Sequence, residues 1–373
     1  MSGLDELIQE HCPNGVEYRN LDDCCNILDK KRKPVTKSAR EAGEYPYYGA
    51  NGIQDYVSEY IFDGTFVLVG EDGSVLTPEG TPVVNWAEGK IWVNNHAHII
   101  EEAKGVLLRY LYHYLQTVDV RDLIHGNIPK LTQRDFKQLR IPVPPLPVQR
   151  EIVRILDDFT GLVAELAAEL TAREKQYEYY RNALLNFNGC GVAFDFVWRT
   201  LGEVAEVGTG SSNGNEAVDD GAYPFFVRSQ TIKSKDDYEY DEEAIIIPGE
   251  GGIGEIFHYV NGKYALHQRV YRIHFKTEDI NTKFAYYYMQ THFKSFILKK
   301  AVNGTVASIR KPMIEGFSIP VLPLPTQNEI VHALDYFNAL CTDLTSGLPA
   351  EIEARQKQYQ YYRGKLLTFS PAE

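Results

Sequence analysis

The 373-residue chain is expected to adopt an α+β fold in which two homologous β-rich globules alternate with two long helices. Three observations predict this. A motif from the first half returns almost unchanged in the second, and a long amphipathic stretch follows each copy. Between these stretches lie short β-branched and aromatic runs punctuated by Gly, Asn and Asp.

The repeat sets the frame. Ile141-Pro-Val-Pro-Pro-Leu-Pro-Val-Gln-Arg-Glu-Ile-Val153 returns as Ile319-Pro-Val-Leu-Pro-Leu-Pro-Thr-Gln-Asn-Glu-Ile-Val331, with 10 of 13 positions identical. Chance would give about one, at roughly one match in sixteen. The offset, 319 − 141 = 178, holds upstream, where Tyr45-Pro46 aligns with Tyr223-Pro224 and Gly126 with Gly304. Whole globules are therefore duplicated. Downstream, Arg173-Glu-Lys-Gln-Tyr-Glu-Tyr-Tyr-Arg181 and the six residues after it match Arg355-Gln-Lys-Gln-Tyr-Gln-Tyr-Tyr-Arg363 and its six at 10 of 15 positions, now at offset 355 − 173 = 182. The four added residues are close to one helical turn, an insertion that a helix absorbs with only ~40° of rotation.

Residues 1–145 form the first globule, with Phe66-Val-Leu-Val69 and Ile91-Trp-Val93 as strands and a short helix from Val106 to Leu115. Residues 146–187 form the central helix: Ile152, Ile155, Leu156, Phe159, Leu162, Val163, Leu166 and Leu170 step by threes and fours, and Tyr177, Tyr180 and Leu184 resume the stripe. Residues 188–323 form the second globule, with Ala244-Ile-Ile-Ile247 and Val270-Tyr-Arg-Ile273 as strands and a helix from Thr282 to Leu298. Residues 324–373 carry the second long helix, striped by Ile330, Leu334, Phe337, Leu340, Leu344, Leu348 and Ile352, interrupted by Gly347 and Pro349 and expected to kink or break near Pro349. The Pro-rich stretches 142–147 and 320–325 are expected to stay non-helical.

Composition narrows the function. Thirty-eight Lys and Arg against 51 Asp and Glu give a net charge of −13, so nucleic acid cannot be held by global charge and any such surface must be local. No apolar run approaches the ~20 residues of a membrane helix. Met1 to Glu10 is acidic where a signal peptide would be basic, so a cytoplasmic protein is expected. Cys12, Cys24, Cys25, Cys190 and Cys341 are odd in number and form no C-x-x-C pair, which fits a reducing compartment and offers no zinc framework.

Enzymatic motifs are weak. Gly249-Glu-Gly251-Gly-Ile-Gly254 fits G-x-G-x-x-G, but Glu255 to Val260 reads as a strand rather than the helix a dinucleotide site needs. A solo adenine methyltransferase requires a [N/D]-P-P-aromatic segment, and the only Pro-Pro pair lies in Val143-Pro-Pro-Leu146. Glu88-Gly-Lys90 and Glu102-Ala-Lys104 would suit a nuclease only after a Pro-Asp that neither has. His96 and His98 lack the further ligands of a metal site.

Lys90-Ile-Trp-Val-Asn94-Asn95-His96-Ala-His98 aligns with Lys263-Tyr-Ala-Leu-His267-Gln268-Arg269-Val-Tyr271, so equivalent places carry different polar heads. Asn and Gln suit adenine and Arg suits guanine, as a base-reading segment requires. The alternative is turn-flanking polar residues that satisfy backbone. Basic clusters at Lys30-Lys31-Arg32-Lys33, with Lys37 and Arg40, and at Lys294, Lys299, Lys300, Arg310 and Lys311 are candidate phosphate anchors or else solvated faces. Lys130, Arg228 and Gln230 complete the candidate DNA-binding set. Tyr177, Tyr179 and Tyr180 with Arg181, and their copies Tyr359, Tyr361 and Tyr362 with Arg363, are spread too far around a helix to share one seam. A partner surface is expected there, with simple helix packing as the alternative.

The two motif pairs and their duplication resemble the specificity subunit of type I restriction-modification systems over essentially the whole chain. Ala164-Glu-Leu166 and Ala168-Glu-Leu170 resemble the tetrapeptide repeats of one branch. The resemblance implies two target-recognition domains, each reading half of a split site in double-stranded DNA, separated by two antiparallel helices in a pseudo-two-fold arrangement. It implies two methyltransferase subunits and restriction or translocase subunits as partners. It implies no catalysis and no cofactor on this chain, with S-adenosylmethionine, ATP and Mg on the partners. The competing readings are a self-sufficient methyltransferase or nuclease, and a two-domain nucleic-acid adaptor outside restriction.

Overall fold

A computed structural model describes residues 2–73, 75–125, 129–187, 195–299, 308–343 and 345–372. They form two compact units, one of residues 1–167 with 351–373 and the other of residues 168–350.

In the first unit, α1 (Ser2–His11), β1 (Glu17–Asn20) and the single turn α2 (Leu21–Cys24) precede a six-stranded sheet. Its strands are β2 (Cys25–Ile27), β3 (Ala42–Gly49), β4 (Gly52–Val57), β5 (Phe62–Gly70), β6 (Val84–Val93) and β7 (Ala97–Glu102), in the order β2-β7-β5-β6-β3-β4. All pairings are antiparallel except β3 with β6, where Tyr47 faces Trp92. Then come α3 (Leu108–Leu115), the short strands β8 (Ile124–His125) and β9 (Lys130–Leu131), α4 (Gln133–Lys137) and β10 (Arg140–Val143), which pairs with β1. The helix α5 (Leu146–Leu184) follows and contributes residues to both units.

The second unit repeats this plan. β11 (Val197–Thr200) and α6 (Leu201–Val204) lead into β12 (Ala205–Thr209), β13 (Tyr223–Phe226), β14 (Lys233–Lys235), β15 (Tyr240–Pro248), β16 (His258–Leu266) and β17 (Val270–Phe275). The sheet order β12-β17-β15-β16-β13-β14 is that of the first unit, with β13 and β16 as its parallel pair. α7 (Thr282–Lys299), α8 (Lys311–Glu315), β18 (Ser318–Val321) and α9 (Leu324–Thr342) complete it. α10 (Leu348–Leu366) belongs from residue 351 onward to the first unit.

The central strands are apolar without alternation because both sheet faces are covered. Val67 and Val69 enter one core with Ile100, Leu111, Val148, Ile152 and Leu156, while Phe66 and Leu68 point into a second with Ile91 and Ile99. Ile245 and Ile247 join Ile273, Phe284 and Leu334 in the other unit, and Ala244 and Ile246 face the opposite way toward Tyr264 and Leu266. The repeated Ile-Pro-Val becomes β10 and β18, with Pro142 opposite Tyr18 and Pro320 opposite Trp198. Two-stranded ribbons leave a free edge for a residue without an N–H.

Three expectations need correction. Pro147 and Pro325 are helical, each in the first turn of α5 or α9, where a helix has no use for the missing N–H. Glu255 to Phe257 are not strand: φ is positive at Gly251, Gly252 and Gly254, so the loop turns through conformations that suit glycine, and β16 starts only at His258. The stripe of α5 is buried at Val148, Ile152 and Leu156, but Leu162 is exposed. The second long stretch is two helices, α9 ending at Thr342 and α10 beginning at Leu348, with Pro349 in the first turn of α10. A Cβ on Gly347 would lie 2.7 Å from the Asp343 carbonyl oxygen, so only glycine fits there. Among the described residues no helix is long and apolar enough to cross a membrane.

Candidate nucleic-acid interface

The aligned polar segments fold into the same turn twice. Between β6 and β7, the Asn94 N–H donates to the Tyr48 carbonyl (3.0 Å) and its Oδ1 accepts from the His96 N–H (2.8 Å). Between β16 and β17, the His267 N–H donates to the Phe226 carbonyl (3.0 Å) and its Nδ1 accepts from the Arg269 N–H (3.0 Å). In each case a buried side chain caps its own turn, as Asx-type turns do, and the next two residues stand in solvent. Those are Asn95 and His96 in one unit, Gln268 and Arg269 in the other.

Both exposed second residues are gripped by a carboxylate. His96 Nδ1 pairs with Asp72, and Arg269 Nη1 donates to Glu250 Oε1 at 2.7 Å. Asp72 forms an isolated bridge with Lys130 and Glu250 one with Ser308; both intervals equal the repeat offset, 250 − 72 = 308 − 130 = 178. Glu250 also accepts from Arg228, and Gln268 donates to Asn213 at 2.7 Å. Arg228, Ser229, Lys233, Glu250 and His267 line a cleft of about 640 Å³. Burial pushes His267 below its ordinary pKa, helped by Arg228 and Arg269.

Other predicted DNA contacts turn inward. His98 is buried, with Nδ1 2.6 Å from Asp29 Oδ2, Nε2 2.9 Å from the Leu131 carbonyl, and its ring stacked on Phe136. Arg32, only 11% exposed, donates to Glu71 (2.5 Å) and to the Ala97 carbonyl (2.6 Å). Burial would raise the Asp29 carboxyl, but His98, the Ile99 N–H and Arg32 hold it below the ordinary range. Asp29, Glu71 and His98 could converge on a cation, yet Arg32 and Lys130 already pair with this cluster. Arg32, Asn94 and His98 thus follow the structural alternative and offer no edge to a base.

The remaining described candidates are exposed, except Arg40, which is 15% exposed and pairs with Asp55. Lys33 and Arg40 line a cleft of about 510 Å³ with Tyr47 and Trp92, and Lys31 lies beside it in sequence. Lys90 sits 4.8 Å from the Tyr60 ring centre. Gln230, Lys299 and Arg310 are open, Lys130 is exposed but pairs with Glu71 (3.2 Å), and Lys311 pairs loosely with Glu315 (3.6 Å). Lys300, Cys190, Gly126 and Gly304 lie outside the described residues.

The tyrosine triplets divide the same way in both copies. Tyr177 and Tyr359 are half-buried beneath the guanidiniums of Arg181 and Arg363. Tyr180 stacks on Phe337 at 5.5 Å, and Tyr362 on Phe159 at 5.3 Å. Tyr179 and Tyr361 stay 69% and 64% exposed. The middle tyrosine of each triplet is thus the most exposed, and Tyr180 keeps 40% exposure beside Phe337.

Sequence reasoning misses the carboxylates Asp72 and Glu250, although Glu250 lies inside the glycine motif that fits the dinucleotide pattern. It also missed Asp157, which holds Arg109 and His113, and Asp335, which holds Lys283 and Tyr287. These two aspartates are identical at the repeat offset, a signal available in the sequence.

Residues 13–172 and 195–354 each match the family described as the Type I restriction modification DNA specificity domain. The chain is 37% identical to a putative type I restriction enzyme specificity subunit of Haemophilus influenzae, over 95% of this chain and 96% of that one. It is 34% identical, over 72% of each, to the type I restriction enzyme EcoR124I/EcoR124II specificity subunit of Escherichia coli. In fold it is similar to the type I restriction-modification S subunit of M. genitalium, with a TM-score of 0.60 at 17% identity over 95% and 96% of the two chains.

Proposed function

The chain belongs to the type I restriction modification DNA specificity family, and from that footing we propose that it reads a bipartite DNA target with a fixed spacer while holding methyltransferase subunits against it. It is a specificity subunit and not itself an enzyme. Adenine methylation from S-adenosylmethionine, and ATP- and Mg-dependent cleavage, belong to modification and restriction subunits in the same cytoplasmic complex.

One observation carries the reading. Two sheets of identical strand order end in the same capped turn and present different residue pairs, Asn95-His96 and Gln268-Arg269. Identical scaffolds with different tips are what two different short half-sites require, because sequence is read by side chains at base edges and not by the fold. Lys31, Lys33, Lys90, Lys130, Lys299, Arg310 and Lys311 supply local positive charge that can neutralise phosphates on a chain whose net charge is −13. Tyr179 and Tyr361, at matching places, suit two copies of one methyltransferase subunit.

The test is to incubate the purified chain with duplex DNA, S-adenosylmethionine, ATP and Mg, with and without its methyltransferase partner. The chain alone should give no turnover; the complex should methylate adenines in a split motif. Turnover by the chain alone, or methylation at an unbroken motif, would refute the proposal.

A further inference from the structure

The DNA-reading proposal leaves open how an exposed arginine is aimed. An unrestrained arginine or histidine samples many rotamers, and ordering it on binding costs about 0.5–1.5 kcal/mol per side chain. In both units a carboxylate already does that ordering. Asp72 grips His96, and Glu250 grips Arg269 and Arg228, at positions related by the repeat. The recurrence matters because the gripped residue changed from imidazole to guanidinium while the carboxylate stayed.

The grip also selects the ligand. Arg269 is 59% and Arg228 46% exposed, and each guanidinium gives one described hydrogen bond, to Glu250. The other N–H groups of these rigid forks are left for an incoming acceptor. A phosphate there would approach the Glu250 carboxylate and be repelled by it, whereas O6 and N7 of guanine are neutral acceptors with the spacing of an arginine fork. The carboxylate is ionised, since its bonds from Arg269 and Arg228 hold it below the usual range. In the first unit Arg32 is taken up by Asp29, Glu71 and the Ala97 carbonyl, and among the described residues Asp72 pairs with His96 and with no arginine.

We propose that Glu250 is a positioning residue that holds Arg269, with Arg228 beside it, for bidentate reading of a guanine in the half-site of the second unit. This rests on the DNA-reading proposal above, and the test separates the two.

The tagged full-length chain, purified from its own cells with its bound subunits, is incubated with randomised duplex DNA, and the retained fraction is sequenced. Wild type should enrich a motif with a guanine in one half. Arg269→Lys keeps the charge but loses the fork; it should cut preference for that guanine roughly 10- to 100-fold while leaving affinity for unrelated duplex DNA within about 2-fold. Glu250→Gln should relax the same position about 3- to 10-fold and leave the other half-site as in wild type, a pattern that a general loss of folding would not give. No motif with wild type would overturn the DNA-reading proposal itself. A motif whose guanine preference survives both substitutions, or an equal loss on every sequence with a shallower salt dependence, would overturn the role assigned to Glu250 and Arg269 alone.

Discussion

Gln149 and Gln327, 178 residues apart in sequence and each fully buried, make the same three hydrogen bonds in their own units. Gln149 Oε1 accepts from the Leu107 N–H (2.9 Å), and its Nε2 donates to the Gly105 and Pro144 carbonyls. Gln327 Oε1 accepts from the Asn281 N–H (2.9 Å), and its Nε2 donates to the Asp279 and Leu322 carbonyls. Each glutamine ties the first turn of a long helix to the segment that precedes α3 or α7, and so fixes the helix to its sheet domain. Gln149→Ala or Gln327→Ala strands one buried N–H and two carbonyls. Each should destabilise its own unit by about 2–4 kcal/mol, read as a lower urea midpoint; a change below about 0.5 kcal/mol would contradict the assignment.

Acid should loosen the first unit through His113. Burial pushes its pKa down to about 4, against the opposing pull of Asp157, and its neutral ring donates to Asp157 (2.8 Å) and faces the Tyr359 hydroxyl (3.1 Å). Because the folded pKa lies below the ordinary 6.5, protonation favours unfolding. The contribution is complete above about pH 6.5 and is lost as pH falls toward 4, by up to about 3 kcal/mol. Thermal melts across pH 7 to 4 should show a steeper loss of stability in wild type than in His113→Gln; equal slopes would contradict this.

Truncating Tyr179 and Tyr361 should separate stability from association. Both are largely exposed, so Tyr179→Ala and Tyr361→Ala should change unfolding by less than about 0.5 kcal/mol. Each should weaken capture of the methyltransferase subunit by about 1–2 kcal/mol. Unchanged copurification of both subunits would remove these residues from the partner surface.

Lys299 is exposed at the end of α7, with no hydrogen-bond or ion-pair partner among the described residues. Lys299→Ala should weaken binding to every duplex alike and lower the salt slope by about one, the mark of a lost phosphate contact. A loss confined to the specific motif would make it a base reader instead.

Much of the architecture is legible in the sequence because it is carried by local pattern. The stripe from Val148 to Leu156 marks α5, and the runs at residues 66–69 and 244–247 mark central strands. The site is less legible. Asn94 and Asn95 look alike in sequence, yet one is buried and caps its turn while the other is exposed. His98 looks as available as His96 until Asp29 and Leu131, 69 and 33 residues away, close around it. The carboxylates that aim the exposed residues come from another strand end, so no local window joins Asp72 to His96 or Glu250 to Arg269. Such pairs are set by tertiary register, which periodicity does not encode.

The central claim is that each unit sets its own half of the DNA target. Its most direct test replaces residues 14–140 with the corresponding segment of a family member of different specificity, leaving α5 and the second unit intact, and maps methylated adenines in cells that carry the hybrid and its methyltransferase partner. One half of the methylated motif should change, with the other half kept. A change in both halves, or in neither, would contradict the account.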